Sequence, residues 1–116
     1  MKQVTVQELK ALRDQQADVL VIDVREAREF RQGHIPDAQL MPLAKIFKDS
    51  TLVAQDQAIV FVCGSGRRSL RVAQFLSHKG YQNITILTGG MSEWRAQQLL
   101  IAVEYEERSK NHVITP

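Results

Sequence analysis

The stretch Ala58-Ile59-Val60-Phe61-Val62-Cys63-Gly64-Ser65-Gly66-Arg67-Arg68-Ser69-Leu70 decides the fold. Its first five residues form an apolar, largely β-branched and aromatic run, the composition of a strand covered on both faces, as in parallel sheets. Leu70, Val72, Ala73, Phe75 and Leu76 then recur as one broad helical face. His78 and Lys79 stand in that helix's last turn and Gly80 at its stop, which suits the helix dipole and a left-handed cap. Between strand and helix lies a short turn with two glycines, beginning at the only cysteine of the chain. A buried strand therefore delivers a thiol into a tight turn that opens directly into a helix.

Working outward, Val19-Leu20-Val21-Ile22, ending at Asp23, and Ile84-Thr85-Ile86-Leu87 read as further buried strands. Thr5 with Glu8 fits a capping box, and Val4 with Leu9 a hydrophobic staple. Val6, Leu9 and Leu12 predict a first helix over residues 6–15. Residues 26–32 predict a short helix stopped by Gly33, residues 40–43 a brief extended segment, and residues 44–52 a weak helix. Thr88-Gly89-Gly90 leads into a helix carrying Trp94. Strands alternating with helices at this spacing predict an α/β fold on a parallel sheet of four or five strands. No internal repeat is present. A single domain is expected over residues 1–103, followed by a polar, mobile tail over 104–116.

The chain has 116 residues, 44% of them hydrophobic and 24% charged, and a formal net charge of +2. That length buries a core without disulfides or metal staples. The small net charge does not point to nucleic acid as a partner. One cysteine excludes an internal disulfide framework and an intramolecular resolving thiol. No apolar run resembles a signal peptide or approaches the roughly 18 residues that span a bilayer. The expectation is a cytoplasmic protein with no membrane partner.

In open α/β sheets, sites form beyond the carboxyl ends of strands, which is where Cys63 lies. Gly64 and Gly66 can turn successive backbone N–H groups inward to make an anion nest. The helix opening near Arg68 adds its positive end, and Arg67, Arg68 and Arg71 add formal charge. Together these effects favour the thiolate and stabilise negative charge on an atom attached to the sulfur. The competing reading is an inert buried cysteine, the commonest fate of a lone thiol. The following Gly-Ser-Gly-Arg-Arg-Ser argues against it.

Three blocks of residues resemble those of single-domain rhodaneses, a family of sulfurtransferases. They are Val21-Ile22-Asp23-Val24-Arg25-Glu26, continuing through Glu29-Phe30 to Gly33-His34-Ile35-Pro36-Asp37-Ala38; the loop Cys63-Gly64-Ser65-Gly66-Arg67-Arg68-Ser69, in the pattern C-x-x-G-x-R-S; and Leu87-Thr88-Gly89-Gly90 with Trp94. The resemblance covers about residues 19–95. It implies a rhodanese-like fold, a five-stranded parallel sheet with helices on both faces. It also implies that Cys63 takes a sulfane sulfur from thiosulfate or a persulfide, holds it as a persulfide, and passes it to a thiol, cyanide or protein acceptor. No cofactor or metal is implied. Gly64, Ser65, Gly66, Arg67, Arg68 and Ser69 would bind the persulfide, while Asp23 and Arg25 would support the loop. Asp37 stands where the family often has glycine, and Gln97-Gln98-Leu99-Leu100-Ile101 replaces its usual ending, so the last helix is expected to run longer or exit differently.

Two rival readings differ in kind. Phosphatases and arsenate reductases use related loops, but with one more residue between cysteine and arginine, and the tighter loop here suits one sulfur better than a phosphate. A non-catalytic interaction or sulfur-relay module is the other, although such relatives commonly lose the cysteine. His34 reads as a hydrogen-bonded structural residue, His78 as a helix-terminal one, and His112 lies in the tail. Trp94 reads as core. The scattered histidines and single cysteine have no metal-ligand spacing.

Overall fold

The computed structural model describes residues 2–104 and, for the backbone, 111–114. In chain order the elements are β1 (Lys2–Val4), α1 (Val6–Asp14), β2 (Val19–Asp23), α2 (Ala27–Arg31), β3 (Gln39–Leu40), α3 (Leu43–Lys48), a 3-10 turn (Ser50–Leu52), β4 (Ala58–Val62), α4 (Arg67–His78), β5 (Ile84–Leu87), α5 (Gly90–Ala96), β6 (Ile101–Glu104) and β7 (Asn111–Ile114). The first five strands form one sheet in the order β1-β5-β4-β2-β3. Every pairing in it is parallel.

Strand alternation builds two cores. On β4, Ile59 and Phe61 face one side with Ile22 of β2 and Ile84 and Ile86 of β5, where Ile46 of α3 and Val72, Ala73 and Leu76 of α4 cover them. Val60 and Val62 face the other side with Val21 and Leu87, beneath Val6 and Leu9 of α1 and Met91 and Trp94 of α5. β4 lies between β2 and β5, which explains its unbroken apolar run. Cys63 continues the alternation on the Ile59/Phe61 side and is itself a core residue, 1% exposed.

The capping box at α1 forms as read: the Glu8 N–H donates to Thr5 Oγ1 at 3.1 Å, and the Thr5 N–H donates to Glu8 Oε1 at 2.8 Å. Asp37 adopts a φ of +68°, a left-handed turn position that aspartate tolerates better than most residues.

Three features go beyond the sequence reading. Lys2–Val4 adds an edge strand that no apolar run announces, because Lys2 and Gln3 are exposed and the pairing with Thr85–Leu87 alone defines it. Of the two outcomes expected for the last helix, the structure shows a different exit rather than a longer run: α5 ends at Ala96, and Gln98, at φ +58°, turns the chain into β6. The expected division at residue 103 falls within β6. β6 continues through Glu104, and Asn111–Ile114 returns antiparallel, aligning Ile101 with Ile114. β6 would otherwise leave an unpaired ladder, and the β-branched Val113 and Ile114 suit a strand. Residues 105–110 and 115–116 of the expected tail lie outside the described residues.

Candidate active site

Cys63 stands one residue beyond the carboxyl end of the central strand β4. Its backbone and its sulfur are held from opposite sides. The Met91 N–H donates to the Cys63 carbonyl at 2.8 Å, and the Ser92 N–H donates to the Gly64 carbonyl at 2.9 Å. The N-terminus of α5 thus satisfies two loop carbonyls with amides that would otherwise lack intrahelical partners. Gly90 makes this approach feasible: it has a φ of +55°, and a β-carbon there would run into the Cys63 carbonyl oxygen. Gly90 of the third sequence block is therefore a packing requirement of the cysteine loop.

The sulfur faces the start of α4. The Gly66 N–H points to Sγ at 3.0 Å and the Ser69 N–H at 3.4 Å. Gly66 is the cap residue of α4 and has a φ of +104°, a backbone conformation that favours glycine. This left-handed residue turns the chain so that amides converge on Sγ at the positive end of the helix. Ser69 is fully buried, and its Oγ is a buried side-chain oxygen without a hydrogen-bond partner among the described residues. An unmade hydrogen bond in such a place is costly unless a ligand completes it.

The arginines of the loop take separate positions. Arg68 donates from both terminal nitrogens to Glu29, at 2.7 Å to Oε1 and 2.9 Å to Oε2. The Arg68 hydrogen bond, the largest influence, holds the Glu29 carboxyl down at about 2, against the opposing effect of burial. The same bond raises Arg68 above the usual arginine range, and a charge on Cys63 would add to that rise. Arg67 is exposed and lines a groove of about 210 Å³ with Gln3, Ser65, Leu70 and Thr88. Arg71 lies over the Phe47 ring, 5.7 Å from its centre. The positive charge expected from these three arginines is thus partly balanced and partly directed elsewhere.

Asp23 and Arg25 form a buried pair at the end of β2, where Asp23 is in register with Val62. Arg25 Nη2 donates to Asp23 Oδ2 at 2.9 Å and to the Gly33 carbonyl at 2.8 Å. Among the described hydrogen bonds, neither residue contacts the 63–69 loop directly. Glu29 is the site residue to which sequence reasoning assigned no role. Its two-point partner is distant in the chain, and only its place in the first block hinted at it.

His34 is 1% exposed and stacks on Phe30 with ring centres 3.6 Å apart. Its Nδ1 lies 2.8 Å from the Phe30 carbonyl and must carry the proton, since a carbonyl only accepts. Trp94 is a core residue, 3% exposed, whose Nε1–H donates to the Leu100 carbonyl. Among the described residues no cluster of His, Cys, Asp and Glu could hold a metal, and no helix is long and apolar enough to cross a membrane.

Comparison with known proteins agrees with this architecture. The rhodanese-like domain matches residues 5–97. The chain is 36% identical over 84 residues to a sulfurtransferase of Allochromatium vinosum, covering 72% of this chain and 78% of that protein. It is 32% identical over 95 residues to a thiosulfate sulfurtransferase of Pseudomonas savastanoi pv. phaseolicola, covering 82% and 88%. A rhodanese-like domain protein from Staphylococcus aureus superposes with a TM-score of 0.74 at 32% identity, covering 81% of this chain and 91% of that one. A strand-borne cysteine cradled by a helix N-terminus, on this sheet and with these relatives, identifies the chain as a member of the rhodanese-like domain family.

Proposed function

We propose that the protein is a rhodanese-type sulfurtransferase in which Cys63 carries sulfane sulfur as a persulfide. The family and the names of its relatives support sulfur transfer in general. The observation that carries the finer reading is the convergence of the Gly66 and Ser69 N–H groups on Sγ. Amides so placed stabilise a thiolate, and one atom further out they can stabilise the terminal sulfur of Cys63–S–S⁻. The orphaned Ser69 hydroxyl is a further donor suited to that sulfur. Gly64, Ser65, Arg67 and Arg68 complete the loop, and Asp23 with Arg25 supports it indirectly, Asp23 being in register with Val62, the residue before Cys63.

The transfer balances without an external oxidant. The Cys63 thiolate attacks the outer sulfur of thiosulfate, a new S–S bond forms, the old one breaks, and sulfite leaves with the bonding pair. An acceptor such as cyanide then attacks the terminal sulfur, thiocyanate departs, and the thiolate is restored. Because Cys63 is the only cysteine, the acceptor is a separate molecule: a small thiol, cyanide or a protein. A lone working thiol suits a reducing compartment, so we place the protein in the cytoplasm.

Intact mass spectrometry after thiosulfate treatment tests this. One added sulfur atom, removed by reductant and absent in Cys63→Ser, is the expected result. No gain with thiosulfate or any persulfide donor would overturn the reading.

A further inference from the structure

Four charged groups of the candidate site pair off. Asp23 is paired with Arg25, and Glu29 with Arg68. The Arg68 guanidinium lies against the cysteine turn: a β-carbon at Gly64 would lie 3.2 Å from its Nη2. An arginine there would ordinarily serve as a two-point clamp for an oxyanion. Here both terminal nitrogens are already engaged by Glu29. The pair remains charged across the working pH range, because each partner holds the other ionised.

We propose that Glu29 sets the charge preference of the Cys63 site: by engaging both terminal nitrogens of Arg68 it withdraws that guanidinium from anion binding, so the cradle favours a singly charged sulfur over a dianion. The proposal rests on the sulfurtransferase reading and deepens it. A persulfide carries one negative charge, which backbone amides and a helix end can stabilise. Sulfite, the leaving group from thiosulfate, must depart once its sulfur has moved. A bare guanidinium would retain it, and would also retain sulfate or phosphate as inhibitors. Glu29 gives up affinity for the incoming dianion in exchange for release and selectivity.

Coulomb energy scales with ligand charge, so removing the Glu29 charge should strengthen dianion binding twice as much, on a logarithmic scale, as monoanion binding. The test is calorimetric titration of the full chain with sulfate and, separately, thiocyanate at low ionic strength. Glu29→Gln is expected to bind sulfate about tenfold and thiocyanate about threefold more tightly than wild type. The double variant Glu29→Gln/Arg68→Gln should return sulfate binding to within about twofold of wild type, since the charge that Glu29 masks is then gone. Equal or weaker sulfate binding in Glu29→Gln, no detectable binding in either protein, or a gain that persists in the double variant would each overturn the proposal. If Glu29→Gln does not fold, Glu29→Ala carries the test. It also removes the carboxylate charge, and the sulfate-to-thiocyanate preference should rise about threefold, an unchanged preference refuting the idea. Neither probe donates sulfane sulfur, so this result and the mass-spectrometric one can fail independently.

Discussion

Gly90 of α5 packs directly on the backbone of Cys63, so closely that a β-carbon at residue 90 would overlap the Cys63 carbonyl oxygen and lie 2.8 Å from that of Gly64. Gly90→Ala should therefore destabilise the protein by about 3 kcal/mol and reduce sulfur loading of the folded fraction. Gly80→Ala is the control: its φ is also positive, at +90°, but nothing lies within 4 Å of the new carbon. That variant should cost only about 1 kcal/mol, the strain of the left-handed conformation. Urea unfolding of both measures the difference, and equal costs would show that close approach is not what residue 90 provides.

Ser69 separates stability from activity. Its hydroxyl is buried and unpartnered, so Ser69→Ala should leave stability unchanged or raise it by up to about 1 kcal/mol. If the hydroxyl serves the transferred sulfur, kcat/KM with thiosulfate should fall about tenfold or more. Unfolding curves and steady-state kinetics on one preparation give both values. A stable variant with unchanged kcat/KM would remove Ser69 from the chemistry.

Acid should weaken the link between α2 and α4. Glu29 is held at about 2 against an ordinary value of 4.5. Its depressed titration contributes stability that is fully present above pH 4.5 and lost as pH falls towards 2. Both side chains are about one-third exposed, so solvent limits the effect to about 1 kcal/mol. Denaturation midpoints between pH 5 and 2 (about the two titration limits) should fall less steeply in Glu29→Gln than in wild type.

His34→Ala should be a stability variant only. It deletes the stack on Phe30 and the bond to the Phe30 carbonyl, at a cost of about 2–3 kcal/mol. Sulfur loading per folded molecule should match wild type in the mass spectrum. A folded but unloadable variant would make the histidine part of the chemistry.

Buried strands were legible because burial on both faces writes itself as an unbroken apolar run, as at Ala58–Val62 and Ile84–Leu87. The edge strand Lys2–Val4 carries no such mark, since its pairing is dictated by β5 rather than by its own composition. The Asn111–Ile114 strand was obscured by the polar residues before it. At the site, Cys63 and its glycines announce themselves within one short loop. Arg71 could not be read from that loop: its place over Phe47 depends on how α3 and α4 pack. Glu29 was hidden for the same reason, being 39 residues from Arg68 in the chain.

The placement of Met91 and Ser92 over the Cys63 and Gly64 carbonyls has a consequence for the life of the chain during synthesis. A nascent polypeptide released only as far as α4 already contains the cysteine, both loop glycines and all three arginines. It lacks the two amides that hold the turn in place, and also β5, on which β4 packs. The thiol acquires its special surroundings only when nearly the whole domain has emerged and closed. Until then the turn lacks its two α5 anchors, and the surroundings of the sulfur come only with the completion of the fold.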